Sequence, residues 1–491
     1  MSDVVPHFDY LKSIGRQEIE LGTADLASFG ITVDGVYLYR NGSGDPQFMA
    51  LDRIARGFCR VVAEHYPVIV ARPTVSADGR AVLVVDPDNL CLPDIAELVV
   101  DRPAEDFIET RSYDAEGAEG AEGAAGADAA DAANGVKHTV RFFNLPRFYR
   151  TSGIRRPPQA SYNRDHAAAI VRVIRFRDSP YVALYISLSH AMFDGSGVTA
   201  FFNHWAAYTR HVDDAAVVLD APPTHDRRAV RAYFDGVEGI EPPHLAHFRE
   251  CAAALPMASP ANIAPILIAT PDIAPCEEQH LLHITPARLE QLRQDVDKTQ
   301  TTFIALAALL TKSMLHANVA AMGAVPRRSY VMFPYDCRKR TPIPAAFSGN
   351  LSFPSFALLD PPAVLAGSYS DVARAIAGQS ALMSGAHAKA TVDVIEKELH
   401  ILYHASATMG NKPDTAYVGM SNVRYLPLYS LDYGWGGPDI LSCDYFIQEG
   451  MMRLYANKQD GGIDVILNYP DRCFEHLQKS DDLLRYADPI F

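Results

Sequence analysis

At 491 residues, 48% hydrophobic and 21% charged, the chain is long enough for two or three domains with sizeable cores and too apolar for a disordered or fibrous protein. Lys and Arg total 44 against 59 Asp and Glu, a formal charge of −15 that excludes a generally basic nucleic-acid-coating protein and demands a local basic pocket for any polyanionic ligand. The seven cysteines are odd in number, scattered and never paired as CxxC, which predicts a reducing compartment without a disulfide framework or a zinc cluster.

The segment from Met1 carries no basic stretch followed by an apolar run, so no signal peptide is expected. Nor does any uninterrupted apolar stretch reach the roughly 18 residues of a membrane span. A cytoplasmic protein without membrane attachment is expected. Leu51 to Tyr66 places Leu51, Ile54, Phe58, Val61 and Val62 at helical spacing, and Pro67 stops that helix. The alternation around Val82 and Val84 predicts a strand within Arg80 to Asp86. Asp114 to Gly135 contains only Ala, Gly, Asp, Glu and one Asn. With nothing to bury it is expected to be a disordered surface insertion, and it holds six acids and no base.

Tyr181 to Ser189 predicts a strand, and Gly197 to Arg210 puts Val198, Phe201, Phe202 and Trp205 on one helical face. The Pro- and Ala-rich stretch 237–279 is expected to be a crossover without its own core. Beyond it come a strand at His280 to Ile284, a helix opened by Thr285 as N-cap with Pro286 at N1, and a strongly apolar helix from Thr302 through His316. Further strands are expected at Tyr330 to Phe333, Thr415 to Met420 and Gly462 to Leu467. This alternation in both halves predicts an α/β protein with domains at 1–236 and 280–491.

Chemistry concentrates at two places. Between the strand ending at Ser189 and the helix after it lies His190-Ala-Met-Phe-Asp194-Gly195, at the strand's carboxyl end where α/β layers usually carry their active residues. With 17 His the HxxxD spacing arises about once by chance, so the context rather than the count singles it out. A neutral imidazole there can serve as a general base. Asp194 can orient it or can hold the loop by pairing with an arginine. The second place is Asp432-Tyr-Gly434-Trp435-Gly436-Gly-Pro-Asp439, a rigid glycine-rich loop around one of only two tryptophans, preceded by Ser421-Asn422.

HxxxDG in the first half with D-[FY]-G-W-G near the C-terminus resembles the BAHD acyltransferases and their relatives: fungal trichothecene acetyltransferases, chloramphenicol and carnitine acyltransferases and condensation domains. Glu64-His-Tyr-Pro67, Thr301 to Ala308, Tyr335-Asp-Cys-Arg338, Gly349-Asn350 and Gly461 to Val465 resemble the family's further segments, in the family's order. Plant members usually carry Trp where Asn422 stands, the loop has Tyr433 for the commoner Phe, and Ser189 precedes His190 where condensation domains double the histidine.

The resemblance implies two chloramphenicol-acetyltransferase-like domains, each a mixed sheet with helices, and an active-site tunnel at their interface. It implies transfer of an acyl group, by default acetyl, from a CoA thioester to a small-molecule alcohol or amine, a hydroxyl first. His190 would be the catalytic base, and Ser421 or Asn422 the oxyanion donor. Asp194 would pair with Arg338 as support, and Gly195, Asp432, Gly434, Trp435 and Gly436 would shape the site. No cofactor would be bound permanently, acyl-CoA being a co-substrate, and a monomer without nucleic-acid partners is expected. Arg327-Arg328 and Arg338-Lys339-Arg340, the densest basic clusters of the second half, are candidates for the CoA phosphates together with Thr302 at a helix start. His400-x-x-x-His404, His244-x-x-His247 and His280-x-x-His283 lack the acidic or cysteine partners of a metal set, and no metal is expected.

Overall fold

The structure, a computed structural model, describes residues 7–28, 31–76, 81–114, 137–155, 167–253, 278–408, 414–443 and 449–491. Nearly all of the Ala/Gly/acid insertion, 115–135, lies outside the described residues. Two mixed sheets dominate. In chain order the strands of the first are β1 (Thr32–Arg40), β2 (Asp94–Val100), β3 (Ala169–Phe176) and β4 (Tyr181–Ser189). Those of the second begin with β5 (Gln279–Ile284), β6 (Arg328–Asp336), β7 (Ser352–Leu359) and β8 (Thr415–Asn422). The first sheet then gains β9 (Ile440–Ser442), and β10 (Met451–Ala456), β11 (Ile463–Asn468) and β12 (Asp488–Pro489) complete the second.

The five-stranded sheet runs β9, β1, β4, β3, β2, antiparallel except for the parallel β2–β3 pair. β4 is buried at all nine positions, as a central strand covered on both faces must be. One cover is built from α1 (Leu51–His65) and α2 (Gly195–Arg210), which lock through Phe58 against Phe201 and Trp205, while the Trp205 indole donates to the Ile54 carbonyl at 3.0 Å. Pro67 opens a short 3-10 turn after α1, consistent with its inability to extend the helix.

The seven-stranded sheet runs β7, β6, β8, β10, β11, β5, β12. Against it lie α4 (Pro286–Asp297) and α5 (Thr302–Met322), preceded in the chain by α3 (Arg227–Asp235). α5 is longer than the apolar run predicts, capped by the Thr301 hydroxyl and ended by Gly323 at φ +71°. By length and composition it could cross a membrane, with a mean hydropathy of 1.4, but 72% of that window is buried inside the protein, as in a core helix.

Two sequence expectations are refined. Within the crossover 237–279, expected only to lack a core of its own, Pro243–Ala253 forms a helix that borrows the second half's core, its Leu245 and Phe248 buried against Tyr330 and Phe356 of the second sheet. Residues 254–277 lie outside the described part. The DYGWG segment also belongs spatially to the first half. β9 pairs with β1, and Leu428, Leu431, Tyr433, Leu441 and Cys443 are buried in the same core as α1 and α2.

Candidate active site

His190 follows the last residue of β4, and its backbone N–H donates to the Ile31 carbonyl at 2.8 Å beside β1. The imidazole is half-buried. Its Nδ1 lies 3.1 Å from Asn350 Oδ1, and the Asn350 amide nitrogen donates back to the His190 carbonyl at 2.8 Å. The same amide nitrogen donates to Asp25 Oδ1 at 2.8 Å. With both amide hydrogens committed to oxygen acceptors, Asn350 can offer Nδ1 only an acceptor, so Nδ1 carries the proton and Nε2 keeps its lone pair. Burial is the largest influence on His190 and pulls its pKa below the ordinary value, assisted by the charge of Arg453 and opposed by Asp194 and Asn350.

Asp194 does not bond to this histidine in the structure. It caps α2, accepting Gly197 N–H at 3.0 Å on one oxygen. The other oxygen accepts Arg338 Nη1 at 2.7 Å, Leu351 N–H at 2.8 Å and the Ser352 hydroxyl at 3.3 Å. Arg338 spends its remaining donors on Asp336 and on the carbonyls of Phe347 and Gly349. A fully engaged guanidinium, 5% exposed, is a brace between the two halves and has nothing left for a phosphate. Gly195 starts α2 under Leu426, at ordinary van der Waals distance.

A Cβ on Gly197, by contrast, would collide with the Ser348 carbonyl oxygen, so this glycine is what lets the loop carrying Asn350 close on the helix after His190. Sequence reasoning assigned roles to neither Gly197 nor Asn350. The Gly349-Asn350 pair was visible as a family segment, but its reach to His190 depends on tertiary contact. Asp25 left no sequence signal.

The DYGWG loop is self-braced. Asp432 Oδ1 accepts the N–H groups of Gly434 and Gly436 at 2.7 and 2.8 Å, and both glycines adopt positive φ, +111° and +87°. Tyr433 is fully buried edge-on to Trp205, while Trp435 rests on Phe48 with the Arg53 guanidinium above it. This loop therefore anchors the second half to α1 and α2. Leading into it, Ser421 and Asn422 end β8, half-buried and paired with Arg453 and Leu454 of β10. Asn422 Oδ1 accepts from Arg424 Nε at 3.1 Å, leaving its amide nitrogen as the donor group. Arg453 reaches across to donate to the Asp34 carbonyl of β1 at 2.6 Å.

The basic candidates do not form one patch. Arg327 and Arg328 stand exposed at the start of β6, whereas Lys339 and Arg340 are exposed just past its far end, roughly 26 Å away at strand rise. Arg340 donates to the Met383 carbonyl and lies over Tyr335. Thr302 is the first residue of α5, after its cap Thr301.

The described histidines of the other sequence pairs are engaged in packing or pairing. His244 lies against Phe248 and Phe356, His247 bonds to the Tyr330 hydroxyl, and His280 stacks on Phe474. His283 is held between Asp460 and Asp464. The side chains of His400 and His404 lie outside the described part. Among the described residues no group of three or more His, Cys, Asp or Glu is arranged to hold a metal.

Comparison with known proteins bears on family and fold. The Transferase family profile matches residues 157–484. The oat (Avena sativa) hydroxycinnamoyl-CoA:5-hydroxyanthranilate N-hydroxycinnamoyltransferase is 25% identical over 313 residues, 62% of this chain; the chain spans 65% of that relative's length. Among solved structures, F. graminearum TRI101 complexed with ethyl coenzyme A superposes with a TM-score of 0.65 at 13% identity, covering 97% of this chain and 100% of that one. Vinorine synthase superposes with a TM-score of 0.61 at 15% identity, covering 97% and 98%. The chain belongs to this Transferase family, the CoA-dependent acyltransferases of BAHD type, and has their two-part α/β fold of the chloramphenicol acetyltransferase kind.

Proposed function

We propose that the protein moves an acyl group, acetyl in the simplest case, from a CoA thioester to a hydroxyl of a small-molecule, secondary-metabolite acceptor, with His190 as general base and no acyl-enzyme. The observation that carries this reading is the Asn350 bridge, which places the proton on Nδ1 and leaves Nε2 able to accept one. Nε2 takes the acceptor's proton as its oxygen bonds to the thioester carbonyl carbon. The oxyanion so formed is met by the Ser421 hydroxyl or the Asn422 amide. The intermediate then expels the CoA thiolate, and the imidazolium returns the proton to sulfur. A thiol of pKa about 8.5 leaves readily enough that no covalent relay is needed.

On this reading donor and acceptor enter a tunnel between the halves from opposite faces. Lys339 and Arg340 are the proposed phosphate contacts nearest the site, with Thr302 and the more distant Arg327 and Arg328 as further candidates. The protein would act in the cytoplasm as a monomer; the buried free thiols of Cys59, Cys91, Cys337, Cys443 and Cys473 are compatible with a reducing compartment. An amine acceptor is the second reading, favoured by the oat relative, whose name specifies N-acylation.

Thiol release from acetyl-CoA across a panel of alcohols and amines tests the function and the acceptor class together. His190→Ala should lose about 10²–10⁴-fold in turnover while still binding CoA. Near-normal turnover in that variant would remove His190 from the chemistry. Activity only with a phosphopantetheinyl carrier would replace free CoA as donor.

A further inference from the structure

Asn350 is itself held from behind. Asp25, in the short helix Thr23–Ala27, is 1% exposed and accepts four hydrogen bonds. Its Oδ1 takes Asn350 N–H at 3.1 Å and Asn350 Nδ2 at 2.8 Å; its Oδ2 takes Gly22 N–H at 2.8 Å and Arg227 Nε at 2.6 Å. Arg227, the first residue of α3, is 6% exposed, and among the described residues its Nη1 and Nη2 have no hydrogen-bond partner. Two buried guanidinium nitrogens left unsatisfied are a poor way to stabilise a fold, since an apolar side chain would fill the same space more cheaply. What the arrangement does secure is the orientation of the Asp25 carboxylate.

The neighbouring contacts point the same way. The stretch before α3 is zipped to the loop carrying Asn350: Thr224 N–H donates to Ala346 O at 2.9 Å, Ser348 N–H to Thr224 O at 2.9 Å, and the Ser348 hydroxyl lies 2.6 Å from His225 Nδ1. Together with the His190 carbonyl, Asp25 is an acceptor that stops the Asn350 amide from turning over. If it turned, its NH2 would face His190 Nδ1, the ring proton would move to Nε2, and the base would have no lone pair for the acceptor.

We propose that Asp25 and Arg227 are positioning residues for His190, acting through Asn350 to set which ring nitrogen is protonated. This rests on the general-base reading of His190. The test begins on the unaltered enzyme, with ¹⁵N NMR of histidine-labelled protein and the His190 signals assigned by their loss in His190→Ala. A neutral ring protonated on Nδ1 is expected; a ring protonated on Nε2 overturns the proposal whether or not any variant folds.

Asp25→Asn, nearly isosteric, should raise the Nε2-protonated fraction and lower kcat by about tenfold to a hundredfold, with the KM for acetyl-CoA within about twofold. Arg227→Gln should follow in the same direction, and Arg227→Lys, which keeps the charge, should fall less. Wild-type kcat in Asp25→Asn overturns the proposal, as does a kcat that falls only in proportion to CoA-binding sites lost, the signature of a merely structural role. Failure of the general-base reading is seen separately, as retained turnover in His190→Ala.

Discussion

Replacing Asp194 by Asn separates bracing from chemistry. Asp194 is 1% exposed and its partner Arg338 5%, so the pair is screened from water. Of the Asp194 oxygens, one caps α2 and the other receives Arg338, Leu351 N–H and the Ser352 hydroxyl. An asparagine can keep the cap through its oxygen, but then turns an NH2 group towards two donors, Arg338 and Leu351 N–H. Removing one partner from a buried ion pair costs about 3–5 kcal/mol. Arg338 retains Asp336 at 3.1 Å and three carbonyl bonds, which favours the lower end, about 3 kcal/mol, or roughly 3 °C in the unfolding midpoint of a chain this long. Thermal unfolding read by circular dichroism, paired with kcat well below the transition, measures both sides. The expected result is a large loss of stability with turnover per folded molecule falling far less than in His190→Ala. An unchanged midpoint with activity abolished would refute the bracing role and place Asp194 in the chemistry.

Gly197→Ala should destabilise the protein and impair turnover, because its Cβ meets the Ser348 backbone, whereas Gly195→Ala, which meets only Leu426 at 3.5 Å, should be tolerated; comparing soluble yield and kcat of the two checks this, and equal behaviour contradicts it. His283 is fully buried between Asp464 at 2.7 Å and Asp460 at 2.9 Å, against Tyr113 and Phe142. Burial opposes its charge, but the two carboxylates outweigh it and raise its pKa to about 9. A folded value above the unfolded one near 6.5 means stability present in full below about pH 6.5 and lost as pH rises through 9, on the order of 3 kcal/mol. Unfolding midpoints from pH 6 to 10 should fall across that window, and less steeply in Asp460→Asn; an identical slope there would count against His283 as its source. For catalysis, a His190 pKa held down by burial predicts that the acid limb of kcat/KM lies below the ordinary histidine range; a limb above pH 7 would contradict it.

Much of the local structure was legible because local physics produces it. Apolar spacing in Leu51 to Tyr66 and Gly197 to Arg210, the Thr285 cap with Pro286, and the β-branched run 181–189 each specify their element with little help from elsewhere. His190 and Asp194 stood out by their place at the carboxyl end of a predicted strand, and the DYGWG loop by its glycines around one of only two tryptophans. The crossover helix Pro243–Ala253 was hidden by its Pro- and Ala-rich surroundings. It is Tyr330, Phe356 and Tyr417 of the second sheet, with Ala390 and Val394, that give its Leu245 and Phe248 somewhere to be buried.

What the sequence determined alone, then, was the inventory: two α/β halves, a histidine at a strand's end and a glycine-rich loop to match it. Tertiary structure decided what those residues do to one another. Arg227 and Asn350 lie 202 and 325 positions from Asp25 along the chain, yet both bond to its carboxylate within 3.1 Å, and Asn350 in turn meets the ring of His190. Hydrogen bonds of that kind are set by direction and distance in space, which no periodicity or composition along the chain encodes.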